Sequence, residues 1–259
     1  MNSSLDHRMD LACNLIANAR HLLAVTGAGV SVESGIPPFR GSSGLWDRYD
    51  PETYASLKGF LENPRRSWDF FLDLIDRFVD AVPNDAHKIL AAWGKNQLLR
   101  GLITQNIDGL HITAGSRNVI EIHGSMKQLV CMSCGQKIST RGMIFDSEDL
   151  PPMCTCSGVF KPEAVLFGES IPTEQFFKSL EQLRLADVVL FIGTSGLVHP
   201  VNQFPEIILQ HGGRLIEINP EETLLTRVYQ TLHLEGGAAD ILVRLDRCLT
   251  LRSTELSER

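Results

Sequence analysis

A short apolar stretch from His21 to Thr26 runs directly into Gly27-Ala28-Gly29, and the chain then continues through Val30-Ser31-Val32-Glu33-Ser34-Gly35 to Ile36-Pro37-Pro38-Phe39-Arg40-Gly41. An apolar strand delivered into a GxG turn restricts the fold to a β-turn-α unit, with the turn at the carboxyl edge of a parallel sheet. Glycine there lets the backbone turn tightly and approach a pyrophosphate, whose charge the turn amides and the positive end of the next helix favour. The motif is incomplete, because Val32 stands where the third glycine of GxGxxG would be. The window where an acidic ribose partner usually follows is a polar loop around Trp46 to Asp50. A ligand-free glycine turn stays open at this point, and an ordinary dehydrogenase loses ground.

The rest of the chain repeats the strand-and-helix alternation. Leu11, Leu15, Ile16 and Ala19 recur at helical spacing within residues 6–20. Short apolar strands are expected at Leu102–Thr104, Val119–Ile122, Val188–Ile192 and Arg214–Ile218, with helix-length segments at Pro172–Ala186 and Val201–Gln210. This pattern predicts an α/β protein with a Rossmann-like parallel sheet covered on both faces, joined to a smaller zinc-ribbon and helical module. The Rossmann-like domain is discontinuous, made of residues 1–41, 99–125 and 164–251. Residues 42–98, with the run Trp68, Phe70, Phe71, Leu74, Phe78, form a cofactor-loop and helical insertion; residues 126–163 form a metal-binding module. The polar end, residues 252–259, is expected to fray.

A formal charge of −7 and a pI near 5.6 argue against direct nucleic-acid binding, which needs clustered Lys and Arg. Charges interrupt the N-terminal residues where a signal peptide needs an apolar core, and no run approaches a membrane span. These features predict a soluble, cytoplasmic chain without membrane contact; a monomer is the default, with the oligomeric state open. Cys13 and Cys248 each stand alone in helix-like surroundings and read as buried small hydrophobes.

Three further motifs carry chemistry. Thr104-Gln105-Asn106-Ile107-Asp108-Gly109-Leu110-His111 follows a strand, so its polar groups fall at the carboxyl end, where open α/β sheets bind ligands. The strand around Val119 to Ile122 delivers His123-Gly124, which places an imidazole at a strand exit, where it can titrate near neutral pH. Cys131-Met132-Ser133-Cys134 and Cys154-Thr155-Cys156 are separated by nineteen residues, a spacing that can close a tetrahedral Cys₄ zinc site, with disulfides as the alternative. With all positions thiolate no coordination site is left open, so the one zinc ion is structural.

Taken together these residues resemble the sirtuin family of NAD-dependent protein deacylases, of bacterial and archaeal type, and the likeness runs from about Leu22 to Leu245. It is carried by the glycine-turn segment at 27–41, TQNIDGLH at 104–111, HG at 123–124, the cysteine quartet Cys131, Cys134, Cys154 and Cys156, KPEAVLFGE at 161–169, GTS at 193–195 and INPEE at 218–222. The resemblance implies NAD as co-substrate, with Gly27, Ala28, Gly29 and Ser31 along its phosphates and ribose, and Phe39 and Arg40 in a mobile loop over the nicotinamide end. It implies that Gln105, Asn106, Ile107 and Asp108 surround the nicotinamide ribose and carboxamide. Gly193, Thr194, Ser195, Asn219, Pro220, Glu221 and Ala238 would meet the adenosine side, replacing the missing acidic partner of the first turn.

The same resemblance assigns catalysis to His123, as general base, and to Asn106, and it assigns Val165, Phe167 and Gly168 to main-chain pairing with an acylated-lysine peptide on protein substrates. The implied reaction has the acyl carbonyl oxygen capture the ribose centre that nicotinamide leaves, and water then releases lysine and O-acyl-ADP-ribose. Relatives that remove succinyl or glutaryl groups carry a Tyr and an Arg on the helix after the cofactor loop. Those positions fall on Phe71 and Leu74 here, so neutral acyl groups are expected over succinyl. ADP-ribosyl transfer to protein, a non-catalytic NAD-sensing zinc module and a hydride-transferring dehydrogenase remain as alternative readings.

Overall fold

A computed structural model describes residues 3–40 and 44–257. Gly41, the last residue of the glycine-turn motif, lies outside the described residues. Helix α1 (Ser3–Ala17) precedes strand β1 (Leu22–Thr26), and α2 (Pro51–Tyr54), α3 (Leu57–Glu62), α4 (Pro64–Val79) and α5 (Asp85–Lys95) lead to β2 (Leu99–Thr104). After α6 (Leu110–Thr113) and β3 (Val119–Glu121) come β4 (Gly124–Cys131), β5 (Lys137–Ser139) and β6 (Phe160–Ala164). The chain ends with α7 (Thr173–Leu185), β7 (Val188–Ile192), α8 (Phe204–Gln210), β8 (Arg214–Asn219), α9 (Leu224–Tyr229), β9 (Leu232–Glu235) and α10 (Ala238–Ser257).

The main sheet has six parallel strands in the order β3-β2-β1-β7-β8-β9, so the connections reverse direction between β1 and β7. A crevice outside the carboxyl ends of strands at such a reversal is where doubly wound sheets take ligands. The period of two along β1 explains the layers. Leu22 and Ala24 face one core with Met9, Ile16, Leu90, Trp93 and Leu242, whereas Leu23 and Val25 face the other with Leu183, Phe204 and Ile208.

Several expectations change in detail. The segment after the glycine turn is a 3₁₀ helix (Ala28–Ser34), not an α-helix, and it ends at Gly35 in the left-handed region. Helix α5 sends Ala86, Leu90 and Trp93 into the main core, and Trp93 donates its Nε1–H to Asp246 of α10 at 2.7 Å. The tail is helical to Ser257, and Cys13 and Cys248 are not solitary: they form a disulfide between α1 and α10, with Cα atoms 6.5 Å apart. A spacing within the range a bridge needs follows from α1 and α10 packing side by side, which no local pattern shows. No described helix is long and apolar enough to cross a membrane.

The second sheet is antiparallel, in the order β5-β4-β6, and shares one core with the helical insertion. Asn63 caps α4 by accepting the Arg66 N–H, Pro64 starts it, and its apolar face then buries Trp68, Phe70, Phe71 and Leu74. Each such buried side chain contributes ~1.5–3 kcal/mol. Trp68 also donates Nε1–H to the Phe160 carbonyl at 2.8 Å, which fixes α4 to β6.

Candidate active site

A cavity of about 1300 Å³ opens along the carboxyl ends of β1, β2, β7 and β8 and continues between the two sheets. Apart from the zinc ligands, every residue that the sequence singled out lines it except Ser31 and Asp108. Those two stand one layer behind: Ser31 is fully buried and donates Oγ–H to Asp108 Oδ2 at 2.8 Å. Asn106 Nδ2 donates to Ser31 Oγ at 3.1 Å and to Asp108 Oδ2 at 3.3 Å, and Leu110 N–H fills the other Asp108 oxygen at 2.8 Å. Asp108 and Ser31 therefore hold the Asn106 side chain instead of facing the cavity.

The glycines of the turn pack against the loop after β7. A Cβ on Gly27 would lie 2.7 Å from the Gly193 carbonyl oxygen, and one on Gly29 would lie 2.5 Å from the Gly193 Cα. Neither residue has positive φ, so the requirement is steric, and it comes from the loop after β7. Gly29 N–H donates to the Gly193 carbonyl at 2.9 Å, closing the two loops on each other at the reversal point. Gln105 Nε2 joins this floor by donating to Thr194 Oγ1 at 2.8 Å, and Asn219 Nδ2 donates to the Thr194 carbonyl at 3.1 Å. The fully buried Glu217 holds Asn219 from below, accepting Nδ2 at 2.8 Å.

His123 donates Nδ1–H to the Gln105 carbonyl at 3.1 Å, an assignment set by the carbonyl being an acceptor only. That leaves Nε2 as a lone pair with no protein partner among the described residues. Burial pushes the His123 pKa down, against a smaller upward pull from the Gln105 bond. A neutral imidazole with a free Nε2 in a cleft is equipped to take a proton.

At the far wall Phe39 stacks on Trp46 with ring centroids 5.0 Å apart, and Phe70, Phe71, Leu74, Ile107 and Phe167 complete an apolar chamber. Phe71 and Leu74 are both core residues of α4 and part of the cavity wall. Of the strip expected to pair with a peptide, Phe167 has its main chain committed elsewhere: N–H to the Ala55 carbonyl and C=O to the Leu57 N–H, both at 2.9 Å. Val165 gives its N–H to the His123 carbonyl at 2.8 Å. Gly168 alone of the strip keeps both backbone groups free of described partners. Sequence reasoning did not find Glu33, Trp46, Leu166, Phe177 or Leu197, which also line the cavity; they lie in loops or on helix faces where nothing local marks a ligand contact.

The sulfur atoms of Cys131, Cys134, Cys154 and Cys156 all lie within 4.8 Å of one another. Cys131 to Cys156 is 3.6 Å and Cys134 to Cys154 is 3.8 Å. Tetrahedral zinc with Zn–S near 2.3 Å needs sulfurs ~3.8 Å apart, so the quartet fits zinc. Gly158 is required beside it, because a Cβ there would meet Cys131 Sγ at 2.6 Å. The backbone amides of Cys134 and then Ser133 pull the Cys131 thiol down to about 6, against burial, whereas Cys156, despite the Gly158 amide, is pushed up to about 12 by the other three thiols.

A parallel sheet reversing at paired glycine loops, a strand-exit histidine over an Asn-Asp-Ser network and a Cys₄ module together define a dinucleotide-binding enzyme with a structural metal. The Sir2 family model matches residues 27–200, and the chain belongs to that family. An NAD-dependent protein deacetylase of Sulfurisphaera tokodaii is 43% identical over 91% of this chain and 90% of its own. Among solved structures, a Sir2 homologue mutant in complex with ADP ribose superposes with a TM-score of 0.90 at 37% identity, covering 95% of this chain and 98% of that one. A Sir2 protein bound to a myristoylated histone peptide gives a TM-score of 0.81 at 30% identity over 96% and 99% of the two chains.

Proposed function

We propose that this chain is an NAD-dependent protein-lysine deacylase that yields nicotinamide, O-acyl-ADP-ribose and free lysine. The observation that carries the reading is His123, with Nδ1–H tied to Gln105 and Nε2 free, beside Asn106 held by Ser31 and Asp108. A site that only sensed NAD has no use for a base at that position. NAD, when bound, supplies a glycosidic bond whose cleavage leaves an electrophilic ribose carbon.

The protein's part is positioning, exclusion of water and movement of one proton. Gly27, Ala28, Gly29, Gly193, Thr194 and Ser195 line the dinucleotide side of the cleft, with Asn219, Pro220, Glu221 and Ala238 at its adenosine end. Ser31 and Asp108 act through Asn106, which orients the nicotinamide end together with Gln105 and Ile107. Phe39 and Arg40 close over that end, and the aromatic chamber keeps water from the reacting carbon. His123 Nε2 removes a proton from a ribose hydroxyl, which frees that oxygen to attack the captured acyl carbon; such a base supplies ~10²–10⁴-fold. One zinc ion on Cys131, Cys134, Cys154 and Cys156 holds the β4–β6 sheet together and takes no part in the chemistry.

The peptide lies along the Val165–Gly168 segment and binds mainly through Gly168, since the Phe167 main chain already pairs with Ala55 and Leu57. The acyl group enters the chamber of Phe39, Trp46, Phe70, Phe71 and Leu74, whose five side chains include no cation to pair with a carboxylate. An unpaired buried carboxylate costs several kcal/mol, so acetyl and longer aliphatic groups leave faster than succinyl on the same peptide. Faster desuccinylation would overturn that selectivity. Mass spectrometry of the products from NAD and an acetyl-lysine peptide tests the reaction: O-acetyl-ADP-ribose with wild type and none with His123→Ala is expected. ADP-ribosylated protein as the main product would replace deacylation with ADP-ribosyl transfer.

A further inference from the structure

Among the described residues Lys161 is the one lysine or arginine whose side chain is buried, at 3% exposure, and neither catalysis nor zinc binding uses it. Its ammonium group lies 2.8 Å from the Ala164 carbonyl, 3.0 Å from the Pro162 carbonyl and 3.1 Å from Glu169 Oε2, so each N–H has an acceptor. Glu169 Oε2 accepts in addition the Leu166 N–H at 3.0 Å, while the Glu169 N–H returns to the Leu166 carbonyl at 3.0 Å. These bonds close the turn that carries Phe167 and Gly168, where Gly168 has φ +79°.

We propose that Lys161 and Glu169 are positioning residues for the acylated peptide: a clamp, buried at its lysine end and partly exposed at its carboxylate, that fixes the Val165–Gly168 segment relative to His123. The inference rests on the deacylase reading. The mechanical link is direct, because Val165 N–H is bonded to the His123 carbonyl and the Gly124–Ala164 pair joins β4 to β6 at the same place. Carbonyls 162 and 164 are fixed by the cation at one end, and the Leu166 amide by the carboxylate at the other. A buried ion pair is a poor source of net stability, since desolvation offsets much of its attraction. Its contribution here is geometry: it leaves Gly168 as the exposed main-chain edge and keeps the segment from sagging into the chamber.

The test is Lys161→Met and Glu169→Ala in the full-length, zinc-loaded protein, with peptide and NAD varied separately and amide hydrogen exchange followed over residues 162–170. A misplaced binding strip raises the peptide KM by about tenfold or more. The NAD KM stays near the wild-type value, because neither Lys161 nor Glu169 bonds to the loops at 27–29, 193–195 or 219–221, and exchange at Leu166 accelerates. Glu169→Gln, which still offers an oxygen to the Leu166 N–H, restores most of the peptide affinity. A loss of activity that only follows the folded fraction, with peptide KM and exchange unchanged, overturns the clamp. So does an equal rise in both KM values. Should Lys161→Met fail to fold, the Glu169→Ala and Glu169→Gln pair carries the comparison. A wild type without NAD-dependent turnover refutes the deacylase reading, and exchange then still judges the clamp by itself.

Discussion

Replacing Gly29 by alanine places a methyl group 2.5 Å from the Gly193 Cα and 2.9 Å from its carbonyl oxygen. Carbon atoms in ordinary contact sit ~3.5–4.0 Å apart, so the two loops must separate by about 1 Å. Both groups are backbone, and the Gly29 N–H to Gly193 bond at 2.9 Å resists that separation, so no flexible side chain absorbs the clash. Overpacking of this kind costs ~1–3 kcal/mol, occasionally more. For a chain of this size each kcal/mol lowers Tm by ~2–4 °C, which gives a loss of roughly 2–12 °C. A displacement of about 1 Å at the loops that hold the dinucleotide also lowers kcat/KM for NAD by ~10²-fold. The matched control is Gly94→Ala, where nothing lies within 4 Å of the added carbon inside α5. There the better helix propensity of alanine stabilises by up to ~1 kcal/mol. Differential scanning calorimetry and NAD saturation curves on both variants decide the matter. A Gly29→Ala protein that melts with wild type and keeps its NAD KM refutes the loop-packing argument.

Four other outcomes follow from the same structure. Because burial lowers the His123 pKa, its base form persists below the ordinary value of 6.5; the acid limb of kcat/KM should therefore fall below pH 6.5, and a limb above it contradicts the assignment. Burial also pulls His87 down to about 4 and His111 to about 3, so both are neutral in the fold. As each takes a proton more readily when unfolded, their stabilisation is complete above pH 6.5 and is lost as pH falls toward 4 and 3; urea titrations of His87→Gln and His111→Gln should show a shallower acid loss. Removing zinc with a chelator should release one metal per chain and lower Tm, since the quartet then brings sulfurs together without a cation. Reduction of Cys13–Cys248, or Cys13→Ser, should cost ~2–4 kcal/mol by freeing the chain ends, with turnover at moderate temperature preserved.

Much of the fold was legible because its signals are local. The apolar run into Gly27 and Gly29, the polar ends of β2 and β3 and the spacing of the four cysteines each mark an element within a few residues. The parts that escaped depend on contacts remote in sequence. Strand β9 carries His233 inward to donate to the Asn219 carbonyl at 2.9 Å, a polar residue that blurs the apolar pattern. The Cys13–Cys248 bridge spans 235 residues. The reason for Gly27 and Gly29 lies in Gly193, and the commitment of Phe167 lies in its parallel pairing with Ser56. The helical insertion and metal module look separate in sequence but share one core, because Trp68 and Phe71 pack on the β4–β6 sheet.

Nicotinamide release by the purified protein, followed with NAD alone, with NAD and unmodified peptide, and with NAD and the acetyl-lysine form of that peptide, bears most directly on the proposed chemistry. Release that requires the acetyl group and is matched mole for mole by free lysine is the predicted result. Equal release with and without the acetyl group, or none in any mixture, contradicts it.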